Sequence, residues 1–256
     1  DKYSQVSNND KSIMVGNPVL SNPNDIDNAL SSDNLESLSP RNGGNRLIWD
    51  MRYPGFKSFE GMVLYSSPNV GPKATPGKYN IKMTYNDIVF QEEFEIVKDP
   101  RVKISQADYQ DQLEFLIDVR DEVSRANQQI MDIRSIKNNM RFILDKTEDN
   151  IELQEMINKY LNDISVIENN IHMTKNQSRQ DPLNFGIRIN NRIAFLLADS
   201  QRGDYPPTDQ SKEFFSQVKE ELDIEIINLK DIIKKQSQKI EDYLKKKKIE
   251  LISFND

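Results

Sequence analysis

Cysteine is absent from the sequence, and histidine and tryptophan occur once each. The absence of cysteine excludes disulfides, thiol nucleophiles and thiolate metal sites. With His172 as the one histidine, we expect no zinc site. A Ser-His-Asp triad would need His172 as its general base, and no nucleophile motif accompanies it. We therefore interpret His172 as a solvated surface residue, and the sequence predicts no catalytic residues, no cofactor and no metal.

Long apolar runs are also missing. No stretch approaches the ~20 apolar residues that cross a bilayer, so we expect no transmembrane segment. The net charge is −7, and acids outnumber Lys and Arg both before and after residue 100, which argues against a nucleic-acid partner. The apolar fraction of 36% is low, as expected for long exposed helices. The chain begins at Asp1 without an initiator Met, and we expect a mature or excised fragment.

The clearest pattern in the first hundred residues is a β-hairpin. Tyr79, Ile81 and Met83 alternate with polar residues, which is the period of a strand buried on one face. Asn86-Asp87 would supply the turn, and residues 89–97 would return as the partner strand. Further strands are predicted at residues 3–6, 13–20, 46–52 and 61–65, with a long polar loop at 16–44. This count predicts a small antiparallel β-sandwich over residues 1–100.

The hydrophobic period changes from two to three or four residues just after Pro100. Neither proline nor glycine occurs between residues 102 and 180. The pattern predicts a helix over about 105–145, a second from Ile151, a shorter third around Ile193 and a fourth capped by Thr208 or Asp209. Because short corners make neighbouring helices antiparallel, residues 101–256 are predicted to form an up-and-down four-helix bundle with two long helices.

Two groups of side chains are candidates for interaction. Trp49 could stack on a sugar together with neighbouring rings, although a tryptophan on an alternating strand is more often a core residue. The polar cluster Arg188, Asn190, Asn191 and Arg192 could contact a partner, although internal hydrogen bonding is the stronger interpretation. The candidate interaction residues are Trp49, Tyr53, Phe56, Arg188, Asn191 and Arg192. The rings considered for sugar stacking are Trp49, Tyr53, Phe56, Phe59 and Tyr65.

Four separated segments carry a family resemblance. They are residues 45–55 (NRLIWDMRYPG), 71–79 (GPKATPGKY), 98–102 (KDPRV) and 181–194 (DPLNFGIRINNRIA). In this order they resemble the C-terminal region of large bacterial proteins with a sortilin-like β-propeller, which are often labelled BNR-repeat or sialidase-like glycosyl hydrolases. The resemblance spans about residues 45–235.

The resemblance implies a secreted or cell-envelope protein, periplasmic or associated with the outer membrane. It implies a non-catalytic C-terminal structural and protein-interaction module, in which an immunoglobulin- or fibronectin III-like sandwich precedes the helical bundle. The implied partners are the protein's own upstream β-propeller and another cell-envelope protein. The alternative is a carbohydrate-binding accessory region of a glycoside hydrolase. Whether the full-length protein hydrolyses glycosides stays open, because the family label rests on fold analogy.

Overall fold

The chain is mostly helical in the computed structural model, which describes residues 43–249 except 47, 86, 87 and 148. The strands are β1 (Gly77–Tyr85) and β2 (Ile88–Ile96). The helices are α1 (Gln106–Lys146), α2 (Ile151–Ile171), α3 (Pro182–Phe185), α4 (Ile189–Ser200) and α5 (Asp209–Lys247). The strands predicted at residues 3–6 and 13–20, and nearly all of the loop predicted at 16–44, lie outside the described residues.

The predicted hairpin is confirmed. β1 and β2 pair antiparallel, with Tyr79 opposite Phe94 and Met83 opposite Phe90. Alternation places these side chains on one face. At the base of that face the ring of Trp49 lies 5.9 Å from that of Tyr79 and 6.1 Å from that of Phe94, measured between centroids. The hairpin is therefore anchored by an aromatic cluster, and its predicted turn residues lie outside the described part.

The predicted β-sandwich, and with it the immunoglobulin- or fibronectin III-like fold, is wrong. Within the described residues the sheet has only two strands, and the segments predicted as strands at 46–52 and 61–65 contribute one isolated pairing, between Arg52 and Lys73. A strand needs a neighbouring strand to bond its backbone N–H and C=O groups. In the segment 56–68, side chains from helices bond several of these groups instead. A strand-like sequence was therefore not sufficient for a sheet.

The predicted four-helix bundle is also wrong. The described residues contain five helices, of which α3 is a single turn and α4 has 12 residues. α1 and α5, at 41 and 39 residues, are the two long helices that the periodicity predicts. Gly186 ends α3 with a φ of +88°, a conformation that favours glycine. Thr208 caps α5 as predicted, because its side chain accepts a hydrogen bond from the Ser211 N–H.

The chain divides into two compact units. Unit 1 comprises residues up to Gly55, Asn69–Ile117 and Gln201–Pro207, and unit 2 comprises Phe56–Pro68, Asp118–Ser200 and residues from Thr208 onward. This division does not coincide with a single boundary at residue 100, because the segment 56–68 belongs with helical residues. Most of the side chains buried along the helices of unit 2 are apolar. Fully buried side chains there include Ile130, Ile133, Leu153, Ile157, Tyr160, Ile164, Ile193, Leu197 and Leu222.

A close backbone approach organises unit 1. The Tyr53 N–H donates to the Pro72 carbonyl over 2.8 Å, and the Ala74 N–H donates to the Met51 carbonyl over the same distance. The Arg52 guanidinium donates to the Gly71 carbonyl at 2.8 Å. Position 71 has no room for a side chain, because a Cβ there would overlap the carbonyl oxygens of Tyr53 and Pro54. Gly71 is thus required by packing.

We predict that Gly71→Ala destabilises unit 1. The added methyl group must push the two backbone segments apart, at a cost of about 1–3 kcal/mol or more. Chemical denaturation, followed by the fluorescence of Trp49, measures the loss. Gly44→Ala is the matched control, because a Cβ at position 44 meets no atom within 4 Å. Equal stability of the two variants would contradict the packing requirement.

Candidate functional site

A polar cluster lies in the interior of unit 2. Asn127 and Asn190 are completely buried, and His172 is 2% exposed. The Asn190 side-chain amide donates to Asn127 Oδ1 at 3.0 Å and lies 3.2 Å from His172 Nδ1. The expectation that His172 lies on the surface is wrong, because α2 ends at Ile171 and the extended backbone of His172 no longer follows the helical pattern. The polar residues that flank His172 in sequence gave no sign of this.

The environment of His172 keeps its ring neutral. Burial lowers the pKa of His172 to about 4, an effect that the nearby Arg134 reinforces and the hydrogen bond with Asn190 opposes. The Phe59 ring meets the imidazole edge-on, with centroids 5.0 Å apart. A neutral ring whose Nδ1 accepts from the Asn190 amide carries its proton on Nε2. These two partners, an amide and a phenyl ring, are not nucleophiles, so the arrangement stabilises the fold and does not resemble a catalytic triad.

A buried carboxylate, Glu168, joins α1 to α2. It is 4% exposed, and it accepts from Arg134 Nε at 3.0 Å and from the Lys137 ammonium. Burial alone would raise the pKa of Glu168, but the two cations outweigh it and the pKa is lowered. Arg134 also donates to the Glu60 carbonyl at 2.8 Å and covers the Phe59 ring. One guanidinium from α1 therefore binds both α2 and the segment 56–68.

Asn191, a candidate interaction residue, binds the backbone of its own chain. Its Oδ1 accepts from the Tyr65 N–H at 2.7 Å, and its Nδ2 donates to the Tyr65 carbonyl at 3.0 Å and to Ser67 Oγ at 3.2 Å. The side chain is 3% exposed. The amide thus forms the two backbone hydrogen bonds that a neighbouring strand would otherwise form with Tyr65. Asn191 is a structural residue of unit 2.

The two candidate arginines lie near Asn191 in sequence but differ in surroundings. Arg192 forms a bidentate pair with Glu221 at 2.5 and 3.0 Å, and its guanidinium lies over the Phe214 ring. This pair links α4 to α5. Arg188 is half-buried, and its buried Nε has no hydrogen-bond partner within the described residues. The structure therefore directs Asn191 and Arg192 to different partners, the segment 56–68 and α5.

The candidate aromatic residues serve packing. Tyr53 is 3% exposed and Phe56 is 2% exposed, so neither can form part of a sugar-stacking surface. Trp49 is half-buried, and its indole Nε1 donates to the Arg52 carbonyl at 2.9 Å. Its ring is tilted by 56° from that of Tyr79. An exposed, coplanar platform is not available from these three side chains.

A small cleft lies within unit 1. Its volume is about 210 Å³, and Asp99, Tyr109, Gln112 and Asp204 are among its lining residues. The Gln112 amide donates to the Gly203 carbonyl at 2.7 Å, and the Tyr109 hydroxyl donates to Asp204 at 3.3 Å. These polar groups are engaged with the protein itself. The cleft is smaller than the ~300–1,000 Å³ usual for ligand pockets.

The distal half of the hairpin exposes apolar side chains, which we call the hairpin face: Ile81, Met83, Ile88 and Phe90. Their exposed fractions are 55%, 37%, 56% and 44%. The alternation predicts a face buried along its whole length, and the structure covers only its base. Contiguous exposed apolar surface marks interaction sites in soluble proteins. The sequence does not reveal this surface, because alternation alone does not show what covers a strand.

No protein-family model matches the chain, and neither a search of curated proteins nor one of solved structures finds a match. Among the helices in the described part of the chain, none has the length and apolar character needed to span a membrane. Within the same residues, no three His, Cys, Asp or Glu side chains gather in a group that could hold a metal ion.

We predict that the protein loses stability as the pH falls from about 6.5 to 4. The pKa of His172 in the folded chain, about 4, lies below its ordinary value of 6.5, so only the unfolded chain binds this proton between the two values. Stability from this group is complete above pH 6.5 and decreases by about 1.4 kcal/mol per pH unit below it. Urea titrations at pH 7, 6 and 5 measure the slope.

The one histidine of the chain makes this test specific, since Asp and Glu in unfolded chains titrate mainly below pH 5. His172→Gln should flatten the slope between pH 7 and 5. Lys175→Gln, at an exposed position, should leave it unchanged. A slope of equal size in the wild type and in His172→Gln would refute the assignment.

We also predict that Asn191→Leu destabilises unit 2. Leucine has a similar size but leaves the Tyr65 N–H and carbonyl without the amide that bonds them, at about 1–3 kcal/mol for each buried group that water cannot reach. Asn184→Leu is the control, because Asn184 is exposed. Thermal unfolding of both variants measures the difference, and a smaller loss for Asn191→Leu than for Asn184→Leu would rule out this role.

Proposed function

We propose that this chain is a non-catalytic structural and protein-interaction module of a longer secreted or cell-envelope protein of the kind that carries a sortilin-like β-propeller. One observation carries the proposal. The segments on which the resemblance depends supply internal scaffold contacts: Trp49 packs on the hairpin, Gly71 permits the backbone approach, and Asn191 binds the segment 56–68. Residues used in this way support a fold that presents a surface to partners.

The buried polar side chains of unit 2 support the non-catalytic half of the proposal. His172, Glu168 and Asn190 are buried, and each is bonded to a protein side chain: Glu168 accepts from Arg134, and the Asn190 amide contacts His172 Nδ1. A catalytic acid or base must reach the proton it transfers in a bound substrate. Buried groups whose partners are other protein groups are better suited to fixing the fold. Tyr53 and Phe56, which are buried, give no support to the carbohydrate-binding alternative.

The hairpin face supports the interaction half. Its four side chains, at 37–56% exposure, form one continuous patch on a single face of the sheet. Such a patch costs free energy in water, and contact with a partner removes that cost. The partners that we propose are a β-propeller that precedes this module in the same protein and a further cell-envelope protein.

The proposal predicts binding without turnover. A separately produced sortilin-like β-propeller domain should bind the full chain saturably in isothermal titration calorimetry. Phe90→Lys, on the hairpin face, should weaken that binding, whereas Lys82→Ala on the opposite face should not. In parallel, fluorogenic glycosides should not be hydrolysed by the chain alone. Hydrolysis that co-elutes with the folded chain in size-exclusion chromatography would overturn the proposal, and so would absence of propeller binding.

A further inference from the structure

The hairpin face is the distal part of the apolar side of the sheet. The protein covers this side only at its base, where Trp49 packs. The Trp49 ring contacts Tyr79 and Phe94, which lie opposite each other on β1 and β2 and form the first cross-strand row. The next rows, Ile81 with Glu92 and Met83 with Phe90, extend away from that ring. Side chains in these rows are directly opposite one another and share the face. The surface therefore continues past its cover for at least two rows.

β2 also offers a free edge within the described residues. It pairs with β1 on one side, and no other described strand joins the sheet. A two-stranded hairpin is marginally stable unless a third strand or other packing supports it. An unpaired edge presents a row of N–H and C=O groups that an extended peptide can bond, which is a common mode of peptide recognition. Its nine residues set the length of such a peptide at about 30 Å.

Charge restricts which peptide fits. β2 carries Glu92, Glu93 and Glu95, and the Lys78 ammonium lies 3.1 Å from Glu93 on the polar face. Glu92 alone lies on the apolar face, and it forms no ion pair with another described residue. A second copy would bring the same three carboxylates to the shared edge, where like charges repel. A peptide with a cation at this position would instead complement Glu92.

We propose that the free edge of β2 and the hairpin face bind an extended segment of a partner protein as a third strand, with apolar side chains at alternate positions and a lysine or arginine beside Glu92. This inference rests on the interaction half of the proposed function. It adds the site and the chemistry of the occupant. Backbone hydrogen bonds would provide affinity, and the cation would provide selectivity.

The test uses the full chain and two fluorescent nine-residue peptides. The first is Val-Thr-Ile-Thr-Lys-Thr-Ile-Thr-Val, whose central lysine falls beside Glu92 in either strand direction, and the second has glutamate at the centre. Fluorescence polarisation should show saturable binding with about fivefold or greater preference for the lysine peptide. Glu92→Lys should reverse the preference, and Glu95→Lys, on the opposite face, should not.

Amide hydrogen exchange locates the site. The β2 amides that point away from β1 should exchange quickly in the chain alone and slow down when the lysine peptide is bound, whereas the alternate amides bonded to β1 should change little. Sedimentation of the chain alone reports on a second copy. The inference is overturned by absence of saturable binding, by a preference that survives Glu92→Lys, or by outward-pointing β2 amides that are already protected without peptide, which would mean that the chain itself or a second copy occupies the edge. Propeller binding without peptide binding would refute this inference and leave the proposed function standing.

Discussion

Hydrogen bonds from helix side chains to an irregular backbone segment are the interaction on which unit 2 depends. Most residues of the segment 56–68 are buried or half-buried, and the segment has no neighbouring strand in the described chain. Asn127 donates to the Lys57 carbonyl at 2.6 Å, Ser124 Oγ accepts from the Lys57 N–H at 3.1 Å, and Asn191 bonds both backbone groups of Tyr65. Without these partners each buried group would cost about 1–3 kcal/mol. The helices are therefore polar at specific interior positions because the segment requires it.

The same requirement explains why a charged pair and a histidine are buried beside the segment. Arg134, which is half-buried, reaches the Glu60 carbonyl, and burying the Glu168 carboxylate beside it is tolerable because Arg134 and Lys137 supply the opposite charge. Removing Glu168 would leave Arg134 and Lys137 without their carboxylate, which is the costly way to break a buried pair. His172 fills the adjoining space against Phe59, and burial keeps it neutral. Polar interior groups in this unit thus specify one arrangement of segment and helices.

The elements that follow from local sequence were predictable, and those that follow from distant contacts were not. The hairpin register follows from alternation around Ile81, and α1 begins at Gln106 because Ser105 and Asp108 bond each other's backbone N–H groups. Interior hydrogen bonding of Asn191 was anticipated from the cost of burying an amide. What no local pattern contains is that Tyr65, 126 residues away in sequence, is its partner. The false sandwich has the same origin, since the apolar run at residues 61–65 favours an extended segment but does not show whether strands or side chains bond it.

The hairpin combines two features that normally oppose each other, an apolar face and a carboxylate within it. If the protein's own core covered this face, we would expect apolar side chains along its whole length, since burying an unpaired charge costs free energy. Edge strands often carry an inward-pointing charge because it blocks indiscriminate pairing with other edges. Glu92, on the face with Ile81 and Phe90, fits this second pattern. It leaves the surface attractive to one kind of strand, the kind that brings a compensating cation, and unattractive to copies of itself. Specificity at this edge then comes from the charge, while the apolar rows on either side supply the contact area.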